Sequence, residues 1–165
     1  MTTVLNRDSI KVKRDLQKRV ENWVAEYCDA LEENFKQYSI RSYKSNINNP
    51  SEVSKGYTSY YEEQLQKIED GTANLYKFDY QVGKKYIKVF NLQYQESCDY
   101  YNRPAGYRAG SVTAFIDKNT GEVYKPASWK SPAKHVRFDM RIIREREFLL
   151  NPKNCDWAGG HLYMR

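Results

Sequence analysis

YKFDYQVGKKYIKVFNLQYQ, running from Tyr76 to Gln95, decides the fold. In Tyr76–Val82 the apolar residues Tyr76, Phe78, Tyr80 and Val82 alternate with Lys77, Asp79 and Gln81. A period of two belongs to a strand with one face in a core and the other outside it. Gly83-Lys84 sits where a tight hairpin turn goes. Lys85–Gln95 is then the partner strand, with Tyr86, Phe90, Leu92 and Tyr94 on one face and Ile87 and Val89 on the other.

Upstream the period changes. From about Ser9 to Tyr38 the residues Leu16, Val20, Trp23, Val24, Tyr27, Leu31, Phe35 and Tyr38 recur at helical spacing, which marks one face of a long helix. Lys18, Arg19, Glu26, Glu32, Glu33 and Lys36 fall on the opposite face, and Asp8 or Ser9 is placed to cap the start. Arg41–Ser54, rich in Ser and Asn and holding Pro50, reads as a loop. Tyr57–Asp70 reads as a second helix with Gly71 just past its end.

Downstream, Glu96–Ala109 is loop by composition, Gly110–Asp117 a third strand and Glu122–Lys125 a fourth, joined through Lys118–Gly121. Pro126 stops regular pairing. Val136, Phe138, Met140 and Ile142 alternate with charged residues, yet the favoured reading is an irregular lead-in and a helix from about Met140 to Leu150. Gly160–Arg165 is expected as a last edge strand. The expected fold is one α+β domain over residues 1–165, with a helical part at about 9–70 and a sheet part at about 74–165. An antiparallel sheet of four to five strands carries the long N-terminal helix on one face. The Trp23/Tyr27/Leu31 stripe should meet the Tyr76/Phe78/Tyr80 stripe.

Composition supports a folded chain: 40% of the residues are apolar and 29% charged. No apolar run approaches the roughly 18 residues of a membrane span, and the charged N-terminal stretch has no secretory h-region. Cys28, Cys98 and Cys155 are odd in number and 70 and 57 residues apart, which suits reduced thiols better than a disulfide framework. Net charge is +6, and Tyr124–Arg146 holds seven bases against two acids, or +5 of it. That bias favours an anionic partner.

GSVTAFIDKNTGEVYKPASWKSPAKHVRFDM, from Gly110 to Met140, resembles a family of small uncharacterised proteins of tailed bacteriophages. The likeness lies in the Gly110-Ser111-Val112 strand, the Phe115-Ile116-Asp117 end, the Thr120-Gly121-Glu122-Val123 hairpin, and Lys125, Ala127, Ser128, Trp129, Lys130, Pro132, Ala133, Lys134 and Arg137. The C-terminal DWAGGHLYMR, Asp156–Arg165, is similar to that family's closing motif. The two stretches cover about a quarter of the chain and leave out the N-terminal helices. The resemblance implies a phage source, with a place in the host cytoplasm or in the virion, and no particular activity.

Two segments combine aromatic rings with cations. Lys125–Lys134 leaves a hairpin as a basic loop stiffened by Pro126 and Pro132. Its Lys125, Lys130 and Lys134, with Arg137 beyond, suit phosphates, and an exposed Trp129 suits a stacked base. The same indole could instead be a core anchor with the lysines merely solvated. Glu96–Ala109 carries Tyr100, Tyr101, Arg103, Tyr107 and Arg108; such residues stack on bases and also dominate protein interfaces. Catalytic patterns are lacking. His135 and His161 belong to no zinc-ligand spacing, and no phosphate-binding glycine loop or nucleophile elbow occurs. An enzyme would need Asp117, His135 and Asp156 in one pocket. The leading expectation is a non-enzymatic nucleic-acid-binding protein without a cofactor, a metal or a membrane anchor. The alternative is a protein-interaction module for a host or virion component.

Overall fold

Alternation along Tyr76–Gln95 becomes a hairpin, in which β1 (Lys77–Val82) pairs antiparallel with β2 (Tyr86–Gln95) and Val82 lies opposite Ile87. The computed structural model describes residues 2–163, and side chains from residue 8 onward. β3 (Gly106–Asp117), β4 (Glu122–Tyr124) and β5 (Phe138–Asp139) extend the hairpin into a five-stranded antiparallel meander in chain order. The Lys118–Gly121 turn is built from its own side chains. Asp117 Oδ1 accepts the N–H of Asn119 at 2.8 Å, and Gly121 takes a left-handed φ of 77°.

One face of this sheet is covered by α1 (Thr2–Asn48), 47 residues and about 70 Å long at 1.5 Å per residue. Val20, Val24, Tyr27 and Leu31 are fully buried against Phe78, Ile87, Val89, Ile116 and Val123, with Trp23, Tyr76 and Tyr80 packed at the edge. The two expected stripes do meet. α3 (Ile143–Leu150) and the C-terminal segment close the core. Arg146 lies over the Trp23 ring at 4.3 Å and donates to Met140 O at 2.8 Å. Among the described residues no helix is long and apolar enough to cross a membrane.

Four sequence expectations are corrected. The helix does not start at a cap on Asp8 or Ser9; both lie inside α1. Nor does it end at Tyr38: Arg41–Asn48 is helical because α2 (Thr58–Asp70) packs on it, with Tyr43 and Tyr61 rings 5.9 Å apart. Tertiary contact overrides the weak propensity of Ser and Asn, and the helix stops just ahead of Pro50. The Glu96–Ala109 loop is shorter than expected, since β3 already begins at Gly106. Gly160–Leu162 is a 3₁₀ turn, not a strand, because Gly159 turns the chain with φ 83° and His161 and Leu162 dive into the core. The rest of that expected strand, Met164 and Arg165, lies outside the described residues. The alternation at Val136–Ile142 also survives in part, as β5 before α3.

Candidate functional site

Residues Lys125–Lys134 form a tongue that leaves β4. Pro126 and Pro132 face each other across its base, and Ala133 N–H donates to Lys125 O at 2.8 Å. The tip is closed by the N–H groups of Ala127 and Ser128 on Ser131 O at 3.0 and 3.2 Å. Ser128 Oγ accepts the N–H groups of Lys130 and Ser131, both at 3.2 Å. Serine hydroxyls that bond the backbone two and three residues on are a turn device. Ala127–Ser131 are nonetheless exposed. The result is a braced projection, not a slack loop.

The tongue lies against the sheet face turned away from α1. It runs beside Gly110, Ser111, Val112 and Tyr163, where a shallow groove of about 390 Å³ opens. Trp129 leans on Phe90, ring centroids 6.1 Å apart, and Lys88 Nζ stands 4.7 Å above the indole. The indole keeps 44% of its surface exposed, so it anchors with one side and offers the other. Lys130 and Lys134 point into solvent, Lys125 sits 4.7 Å over the Tyr163 ring, and Arg137 is half-buried. The remaining bases of the Tyr124–Arg146 stretch are engaged elsewhere. Arg141 pairs with Asp139 at 2.7 Å, Arg146 covers Trp23, and Arg144 lines a different cleft. Sequence reading missed Lys88, whose signal was parity: it alternates with Ile87 and Val89 and so shares a face with Tyr86 and Phe90.

The second aromatic segment is split by the structure. Cys98 and Arg103 exchange backbone hydrogen bonds of 2.8 and 2.9 Å, with Asn102 at φ 48°, and this tight turn puts Tyr100 and Tyr101 at its tip. They are 86% and 72% exposed and meet edge to face at 4.8 Å. Arg103 is half-buried. Tyr107 and Arg108 lie in β3, where Tyr107 donates to Leu75 O at 2.9 Å beneath Lys77 and Arg108 donates to Pro104 O at 2.7 Å. Six residues of strand, about 20 Å at 3.3 Å each, separate Gly106 from the Val112 that the tongue covers.

Asp117, His135 and Asp156 do not converge. Asp117 is spent on its turn, and His135 is exposed at φ 73°. Asp156 lines a cleft of about 790 Å³ with His161, Glu145, Arg144, Phe138 and Phe148. His161 Nδ1 accepts the Asp156 N–H at 3.1 Å, which leaves the ring proton on Nε2 to be donated to the Tyr27 hydroxyl at 2.6 Å. Burial lowers the imidazole to about 4. Cys28, Cys98 and Cys155 are free, and burial pushes the Cys155 thiol up to about 12. No group of three or more His, Cys, Asp or Glu able to hold a metal occurs among the described residues.

A model of a family of unknown function, DUF7717, matches residues 7–164. The chain belongs to that family. The DUF7717 match takes in α1 and α2, so the long helices are part of the family's extent and not additions peculiar to this protein. No curated protein and no solved structure matches the chain.

Proposed function

We propose that this member of DUF7717 is a non-enzymatic nucleic-acid-binding accessory protein of phage type, and that the Lys125–Lys134 tongue is its contact. The observation that carries the reading is a half-exposed Trp129 on a loop braced by its own hydrogen bonds, with Lys88 and Lys130 beside it. A ring held in place loses little freedom when a base stacks on it, and ammonium groups around it meet the phosphates. The phage source rests on the resemblance of Gly110–Met140 to small tailed-phage proteins.

The test is titration of wild type, Trp129→Ala, Lys130→Ala and Lys134→Ala against oligonucleotides at several salt concentrations. Trp129→Ala is expected to cost about 1–3 kcal/mol of binding with little change in salt slope. Each lysine change is expected to flatten the slope by about 0.7 on single strands or about 0.9 on duplex. Absence of binding at low salt, or binding indifferent to all three changes, defeats the proposal.

A second reading rests on the Tyr100–Tyr101 tip, whose two rings are almost wholly exposed. Exposed tyrosines suit an interface hot spot, here for a host or virion protein. Such a complex would survive high salt and be lost in Tyr100→Ala/Tyr101→Ala, whereas the tongue variants would leave it intact.

A further inference from the structure

Away from the tongue, one end of the sheet gathers lysines from two turns. Lys84 and Lys85 are exposed between β1 and β2. Lys118 joins them from the β3–β4 turn: its N–H donates to Lys85 O at 3.1 Å and its ammonium to Gly83 O at 2.9 Å. α1 leaves the body at the same end. Gln17 donates to Asn119 Oδ1 at 2.6 Å, and Val20 lies against Gly121. Every side chain from Asp8 to Asp15 is exposed, so this part of α1 is an arm standing off the sheet.

The cations of the arm have a direction. Lys11, Arg14, Lys18 and Glu21 follow at i, i+3, i+7 and i+10, which is one stripe of a helix. Glu21 marks where the stripe faces, because its Oε1 accepts from the Tyr80 hydroxyl on β1 at 3.3 Å. α1 runs antiparallel to β1: Phe35 stacks on Tyr76, Glu32 accepts the Phe78 N–H, and Glu21 meets Tyr80. The stripe therefore lies on the β1 side of α1, and β1 runs on from Tyr80 into the turn that holds Lys84 and Lys85.

Between this end and the tongue lies the outer face of β2. Lys85 Nζ is 5.2 Å from the Tyr86 ring, Tyr86 meets the Phe115 and Tyr124 rings, and Lys88 covers Trp129. Lys88 to Lys84 is about 13 Å of strand. Rings and ammonium groups therefore alternate from Trp129 to the turns.

We infer that the ligand is a single-stranded nucleic acid, running from Trp129 past Lys88 and Tyr86 to the turn lysines and on to the Lys18–Arg14–Lys11 stripe of the arm. This rests on the tongue reading and extends it. A duplex keeps its base faces inside the stack, so a row of rings on a flat sheet face has nothing to stack against; an unpaired strand offers them. Asp8 and Asp15 on the arm leave its five bases, Lys11, Lys13, Arg14, Lys18 and Arg19, in excess.

The experiment compares poly-dT strands of about six and about twenty nucleotides, and a duplex of the longer length. The variants are Lys84→Ala/Lys85→Ala, Lys11→Gln/Arg14→Gln/Lys18→Gln and Trp129→Ala, each checked for a wild-type thermal midpoint. On the long strand the log K against log salt slope should flatten by about 1.4 for the turn pair and about 2.1 for the arm triple. On the short strand, seated at Trp129, the arm triple should leave the slope unchanged. Trp129→Ala should weaken both strands by about 5- to 150-fold. Wild-type slopes for turn and arm variants on the long strand, with Trp129→Ala still weakening it, overturn the path and leave the tongue standing. Tighter binding of the duplex than of the long strand overturns it as well. A wild type that binds neither strand overturns the tongue reading and this one with it.

Discussion

A β-carbon at Gly110 would run into the side-chain amides of Asn91 and Gln93. Asn91 is buried in β2 where the β2–β3 register shifts, and there it replaces ladder bonds: Oδ1 accepts the Ser111 N–H at 3.0 Å and Nδ2 donates to Ser111 Oγ at 2.8 Å. The Gly110-Ser111 pair is thus a junction in which one residue makes room and the next supplies the partners. Gly110→Ala should displace Asn91 and destabilise the protein by about 1–3 kcal/mol, read as a lower urea midpoint. His161 gives a pH effect of definite sign. Its folded value of about 4 lies below the ordinary 6.5, so between these the unfolded chain binds a proton that the folded chain refuses. The stability tied to the neutral ring is whole above about pH 6.5 and is lost as pH falls toward 4, by about 3 kcal/mol at most. Urea melts across that range should show the loss, and His161→Gln, though weaker at neutral pH, should show a shallower decline; equal slopes would discount the residue.

Among the elements, α1 divides into an arm and a clamp, and substitutions should tell them apart. Leu31→Ala removes a fully buried side chain facing the sheet and should cost about 2–5 kcal/mol, whereas Ile10→Ala on the exposed arm should stay within about 0.5 kcal/mol. Thermal or urea melts of the two variants check this, and a large loss from Ile10→Ala would mean that the arm is packed. The clamp was legible because Val20 to Leu31 repeat at helical spacing, and the β1–β2 hairpin because Tyr76 to Val82 alternate. The last turns of α1 were not legible, since that Ser- and Asn-rich stretch is held through Tyr43 against Tyr61 on another helix and not by local preference. Nor was the start of β3, where composition says loop and pairing to Gln93–Gln95 says strand. Of the candidate site, Pro126 and Pro132 showed that a loop leaves the sheet. What packs beneath Trp129 could not be read locally, because Phe90 and Lys88 come from a strand some forty residues earlier. The +5 stretch misled in one respect: charge counted along a chain ignores that Arg141 is paired with Asp139 and that Arg146 lies over Trp23.

At the scale of the whole molecule, the C-terminal segment and the tongue have opposite fates, and this bears on how the chain unfolds. The C-terminal stretch is consumed by packing. Trp157 meets Phe35, Tyr38 and Tyr76, its N–H donates to Asn34 Oδ1 at 2.8 Å, and His161 bonds Tyr27, so the end of the chain is stapled along α1. The tongue, by contrast, carries its own bracing and little of the core. Residues from α1, all five strands, α3 and the C-terminal segment share one buried cluster, and neither the helices nor the sheet can keep its apolar face covered without the other. We therefore expect the helical and sheet parts to unfold as one domain. Far-UV circular dichroism, dominated by α1, and tryptophan fluorescence, dominated by Trp23 and Trp157 packed against the core, should trace a single urea transition with one midpoint. Replacing the exposed Trp129 by Phe should leave that midpoint within about 0.5 kcal/mol of wild type while removing the one indole that reports on the outer sheet face. Two separated transitions would instead make α1–α2 a unit of its own, and the arm and tongue would then belong to different domains.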